Sequence, residues 1–126
     1  MKTCIVIDDA SVVRRIARRM LERKGFSVLE AESGMEALAM CRSRMPDLIL
    51  LDLHMPSMNG MEFLALLRKE DGGQVPRVIV CTTEYDIEEV AAAMYAGGDA
   101  CLMKPFDRET MKTALSEIFP AESDKS

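Results

Sequence analysis

Short uninterrupted apolar runs alternate along the chain with stretches in which apolar residues recur every three or four positions. Cys4-Ile5-Val6-Ile7, Leu48-Ile49-Leu50-Leu51 and Val78-Ile79-Val80-Cys81 are too short for buried helices and have no polar face. They read as strands covered on both sides. Ala100-Cys101-Leu102-Met103 is a fourth strand, and Ser27-Val28-Leu29-Glu30-Ala31 a more polar fifth. After the first strand, Val12, Val13, Ile16, Ala17, Met20 and Leu21 repeat at helical spacing, with Arg14, Arg15, Arg18, Arg19 and Arg23 on the opposite face. Gly25 closes that helix. Met35, Leu38, Ala39 and Cys41 mark a second helix, ended by Pro46, and Phe63, Leu64 and Leu67 a third, stopped by Gly72-Gly73. Residues 87–96 form a fourth before Gly97-Gly98, and Met111, Ala114, Leu115 and Ile118 a fifth. This alternation predicts right-handed βαβ crossovers and a parallel five-stranded sheet with helices on both faces.

Polar residues follow these strands at their C-terminal tips: Asp8-Asp9, Asp52, Thr82 and Lys104-Pro105. Open parallel sheets place their chemistry at that edge. Parallel strands would therefore bring three carboxylates, a hydroxyl and an amine together. Taken singly, each residue has a plainer reading. Asp8-Asp9 before Ser11 start a helix, Asp52 caps a turn, and Lys104 is ordinary surface.

The chain has 126 residues, 48% of them hydrophobic, which suffices for one domain with its own core. We place that domain at residues 1–119, followed by a short polar tail at 120–126. The formal net charge of −5, the absence of a basic tail and the few aromatics give no support for nucleic-acid binding. No run approaches the roughly 18 apolar residues needed to span a bilayer. Asp8-Asp9 also come too early for a signal-peptide core. A cytoplasmic location without membrane insertion is expected. Cys4, Cys41, Cys81 and Cys101 lack metal-ligand spacing and fit reduced core thiols.

Asp8-Asp9, Asp52, Met55-Pro56, Asn59-Gly60, Thr82 and Lys104-Pro105-Phe106, in this order and spacing, resemble the response-regulator receiver domains, the CheY-like proteins. The resemblance covers nearly the whole chain. It implies a flavodoxin-like, doubly wound sheet of order 2-1-3-4-5 with five helices. It also implies that Asp52 accepts a phosphoryl group from a sensor histidine kinase, a histidine phosphotransfer protein or a small acyl phosphate. The family's cofactor is Mg²⁺, a hard cation suited to carboxylate and phosphoryl oxygens. Asp9 and Asp52 would bind it directly, Asp8 through a water, and His54 through its backbone carbonyl.

By the same resemblance, Lys104 pairs with Asp52 at rest and with phosphoryl oxygens afterwards, while Thr82 donates a hydrogen bond to the phosphoryl group and draws its loop inward. The Lys104-Pro105 peptide is usually cis in the family. His54 and Glu84 stand at positions that tune phosphoryl lifetime, although for His54 the backbone alone is the plainer reading. Cys101 stands where many receivers carry an aromatic residue that swings inward with the threonine. A thiol is too small for that movement, and the switch must be transmitted otherwise. Tyr85 is a candidate substitute, with an ordinary loop tyrosine as the alternative.

The leading expectation is a stand-alone two-component response regulator that switches binding to a downstream protein target. The stretch Ser11 to Ile16, with Arg14-Arg15, resembles chemotaxis receivers and points to a motility-related target. Such a protein catalyses its own Mg²⁺-dependent phosphorylation and dephosphorylation, as a monomer or an activation-dependent dimer. The alternative is a phosphorelay intermediate that hands the group to a histidine phosphotransfer protein; a receiver portion of a longer protein is a third reading. A haloacid-dehalogenase-type phosphatase fits poorly, because its second aspartate would fall where His54 stands. Two features admit two readings each. The arginine-rich helix face is either solvated or a docking surface, and Met55, Met58 and Met61 are either core filler or an adaptable contact patch.

Overall fold

The computed structural model describes residues 2–83 and 86–120. Glu84 and Tyr85 lie outside the described residues. The elements run β1 (Thr3–Ile7), α1 (Ser11–Arg23), β2 (Ser27–Ala31), α2 (Gly34–Ser43), β3 (Leu48–Asp52), α3 (Gly60–Lys69), β4 (Arg77–Thr82), α4 (Ile87–Tyr95), β5 (Ala100–Met103) and α5 (Arg108–Ile118). All strand pairs are parallel and the order is β2-β1-β3-β4-β5, the doubly wound sheet expected from the alternation of strands and helices.

Strand alternation divides the core into two layers. Ile5, Ile7, Ile49, Leu51, Val78 and Val80 face α2, α3 and α4, where they meet Leu38, Phe63, Leu64, Leu67 and Ala93. Cys4, Val6, Leu48, Leu50, Ile79, Ala100 and Leu102 face α1 and α5, packing on Ala17, Leu21, Met111 and Leu115. Burial on both sides is why these strands carry no polar face. Met55 is buried in the first layer, and Met58 and Met61 pack on it while remaining partly exposed. The four cysteines are free. Burial pushes the Cys41 thiol up to about 11 and raises Cys4 and Cys81 as well, which leaves them protonated and unreactive.

Four helices start on a side chain that satisfies otherwise unpaired backbone N–H groups. Ser33, Asn59, Asp86 and Asp107 cap α2, α3, α4 and α5, and Asn59-Glu62 completes a capping box. At the far end of α1, Gly25 adopts φ +94°, a conformation that an L side chain resists.

Helix α1 departs from the sequence expectation. Only Ala17 and Leu21 of its apolar stripe are fully buried, whereas Val12 and Ile16 are 64% and 45% exposed. The stripe is wider than the strip of sheet available to it. Arg14, expected on the solvated face, is instead largely covered, and its Nη1 donates to the Asp8 carbonyl at 2.7 Å while Nε donates to Glu30 at 3.1 Å. A second arginine, Arg68, donates to the carbonyls of Gly73, Pro76 and Gly97 and pairs with Asp99, joining two loops at the opposite end of the sheet from Asp52. No helix among the described residues is long and apolar enough to cross a membrane.

Candidate functional site

Asp52, the last residue of β3, and Asp8 and Lys104, each one step past its strand, continue the alternation of Leu50, Val6 and Leu102 toward the α1 and α5 layer. Their meeting follows from that parity and from the sheet order. One carboxylate oxygen from each of Asp8, Asp9 and Asp52 lies within 4.8 Å of the other two. Asp8 and Asp52 are buried, at 3% and 4% exposure, and Asp9 is exposed.

Asp8 performs two tasks. Its Oδ1 accepts the Ala10 N–H at 2.9 Å, turning the chain into α1, and its Oδ2 accepts from Lys104 Nζ at 2.6 Å. Asp8 thus combines a local contact at the start of α1 with a long-range contact at the edge of the sheet. Asp52 Oδ1 accepts the His54 N–H at 3.0 Å, and Oδ2 lies 3.3 Å from Lys104 Nζ. Lys104 therefore bridges two carboxylates, with its shorter contact to Asp8 rather than to the expected Asp52. Burial raises the Asp52 carboxyl above its ordinary value; the His54 N–H opposes this and the Asp8 charge adds to it. For Lys104, burial alone would lower the ammonium, but the hydrogen bond to Asp8 and the charges of Asp52 and Asp8 outweigh it and hold the group above its ordinary value.

Thr82 is fully buried at the end of β4, and its carbonyl accepts the Lys104 N–H at 2.9 Å. The Lys104-Pro105 peptide bond is cis. Cys101 is half-buried on β5, opposite Val80, and packs on the α2/α3/α4 layer along with Met94. Glu84, with its expected tuning role, lies outside the described residues, as does Tyr85.

Two features of this region have no local signature in the sequence. The His54 ring is not solely solvated, because Nε2 lies 2.9 Å from Oε1 of Glu89 in α4. Gly60 approaches so closely that a Cβ there would stand 2.8 Å from the Asp52 carbonyl oxygen and 2.8 Å from Leu53 Cα. Asn59-Gly60 was visible as a motif, but this steric reason for it was not.

Three carboxylates against one ammonium leave an excess of two negative charges, with two of the acids taken out of water. A hard dication matches both the charge and the oxygen donor set, so these residues fit Mg²⁺. Without such a charge the acids repel one another.

The model of the response regulator receiver domain family matches residues 4–116. The chain is 32% identical over 120 residues to the chemotaxis protein CheY of Halobacterium salinarum, covering 95% of this chain and 98% of that one. It is 33% identical over 116 residues to the chemotaxis protein CheY-3 of Vibrio cholerae, covering 91% and 89% respectively. Among solved structures, the chemotaxis protein CheY4 of Vibrio cholerae matches with a TM-score of 0.89 at 29% identity, over 94% of this chain and 99% of that chain.

Proposed function

Since this chain belongs to the response regulator receiver family, we propose that Asp52 is the residue that accepts the phosphoryl group, and that its modification switches binding of a downstream protein. The observation that carries this reading is the sharing of one ammonium by buried carboxylates at the C-terminal edge of the sheet. Among the three acids, Asp52 is the best placed nucleophile. Asp8 is committed to Ala10 and, at 2.6 Å, to Lys104, and Asp9 is exposed, whereas Asp52 is held on one oxygen by His54 and only loosely, at 3.3 Å, on the other.

A carboxylate is a weak nucleophile, so positioning and charge must supply the rate. The His54 N–H fixes the Asp52 carboxylate. An Asp52 oxygen then forms a bond to phosphorus as the donor's bond to phosphorus breaks, releasing the histidine ring or the carboxylate of an acyl phosphate. Lys104 would follow the negative charge onto the phosphoryl oxygens, and the Thr82 hydroxyl would donate to one of them. Asp9, Asp52 and the His54 carbonyl would hold Mg²⁺ directly and Asp8 through a water. When bound, the ion supplies charge neutralisation for the phosphoryl oxygens.

Beside Lys104 opens a groove lined by Val13, Ile16, Thr83, Pro105 and Phe106. Its apolar walls and the exposed Val12 suit the approach of a protein carrying the phosphohistidine. Arg14 and Arg18 are already paired with Glu30, so the apolar groove supports donor docking better than the arginine face does. The chemotaxis proteins among the relatives, taken with Ser11 and Arg14-Arg15-Ile16, support a motility-related target. For the acceptor, acetyl phosphate with Mg²⁺ should add the mass of one phosphoryl group to the wild-type chain and none to Asp52→Asn, and chelation of Mg²⁺ should abolish the gain. Undiminished labelling of Asp52→Asn would overturn the assignment.

A further inference from the structure

Asp52 ends β3 and Thr82 ends the adjacent β4, with Asp52 in register with Cys81. The chain leaving β3 reaches His54 two residues later, and the helix after β4 presents Glu89 in its first turn. Between them runs the contact of His54 Nε2 with Glu89 Oε1 at 2.9 Å. A carboxylate is an acceptor only, so the ring nitrogen is the donor. The contact ties the segment after β3 to α4 across the edge where the acceptor carboxylate and the threonine lie.

The two sides of the site are consequently unlike. On the α1 side, the groove by Lys104 is open. On the α4 side, the backbone N–H of His54 holds Asp52 while the ring of the same residue is drawn to α4. Beyond the Asp86 cap, helix α4 has little apolar anchoring: Ala93 is its one fully buried residue, and Ile87 is 71% exposed. A polar tie matters more where apolar anchoring is this slight.

We infer that Glu89 is a positioning residue that holds the His54 ring as a strap over the α4 side of the site and thereby slows entry of small phosphodonors. The inference rests on Asp52 being the acceptor. Glu89 touches no reacting atom and acts through His54. Both side chains of the pair are part-exposed, which limits the effect of breaking it to roughly fivefold.

The test is the initial rate of loading by acetyl phosphate with Mg²⁺, followed by intact mass. Glu89→Ala and His54→Ala should each load roughly two- to fivefold faster than wild type. The double variant should load no faster than His54→Ala, because the two residues act as one unit. Glu89→Gln keeps the acceptor oxygen and should stay near the wild-type rate. Three results would overturn the strap: unchanged loading in Glu89→Ala, an equal rise from Glu89→Ala in the His54→Ala background, or an equal rise in Glu89→Gln, which would mark a charge effect alone. Loading of wild type with any of those patterns refutes the strap and leaves the acceptor intact. A wild-type chain that takes no label refutes the acceptor, and the strap with it.

Discussion

Gly60 determines how closely α3 approaches the backbone at the end of β3. Helix propensity favours alanine over glycine by about 1 kcal/mol in a helix interior and by less at a first helical position such as Gly60. Packing opposes it, since the new Cβ would meet the Asp52 carbonyl oxygen and Leu53 Cα, both at 2.8 Å. Both are backbone atoms, which cannot rotate aside as a side-chain tip does, and Gly60 N–H is itself bonded to the Leu53 carbonyl. Packing should win. Gly60→Ala is expected to lose about 1–3 kcal/mol of stability and to load phosphoryl more slowly, as read by thermal unfolding and by the acetyl phosphate reaction. A more stable variant with normal loading would show that the α3 approach has slack. At this scale the strand-tip residues were legible in the sequence, because wholly apolar strands leave their first polar residue conspicuous. The reason for Gly60 was not, because it depends on a backbone contact between two elements. The His54-Glu89 tie joins residues 35 positions apart and leaves no local signature either.

Helix α1 and strand β2 are joined by Glu30, which accepts from both Arg14 and Arg18. The Arg18 hydrogen bond, helped by Arg14, holds the Glu30 carboxyl below its ordinary value against the opposing effect of burial. A depressed acid stabilises the fold above its unfolded pKa of about 4.3 and loses that contribution as pH falls through the lower folded value. Thermal unfolding of Glu30→Gln should therefore fall about 2–5 °C below wild type near neutral pH. The gap should close at about pH 3 or lower, once both chains carry a neutral group there. A gap that persists in acid would assign the effect to side-chain packing. The period of the apolar residues located α1 correctly but could not say which part of a wide stripe the sheet would cover. Val12 and Ile16 were therefore expected in the core and instead stand exposed, Ile16 in the groove beside Lys104.

Across the whole molecule, strand order is what makes a site from scattered residues. β1 and β3 are neighbours, β3 and β4 are neighbours, and β5 borders β4, so the tips of β1, β3 and β5 converge although Asp8 and Lys104 are 96 residues apart in sequence. This architecture was legible because each strand is followed by a helix long enough for a crossover, and the right-handed rule leaves few ways to wind them. The sharing of Lys104 between Asp8 and Asp52 was less so, since it depends on side-chain reach within the finished fold. Two buried acids and a third beside them, served by one ammonium, make up a charge arrangement suited to a dication and a phosphoryl group. The most direct test of this account is to load the protein with acetyl phosphate and Mg²⁺, reduce it with borohydride, and sequence the peptides by mass spectrometry. Borohydride converts an aspartyl phosphate to homoserine and leaves free carboxylates unchanged. Homoserine at position 52 alone is the predicted result; homoserine at position 8 or 9, or at no position in protein that had taken up the phosphoryl group, would contradict it.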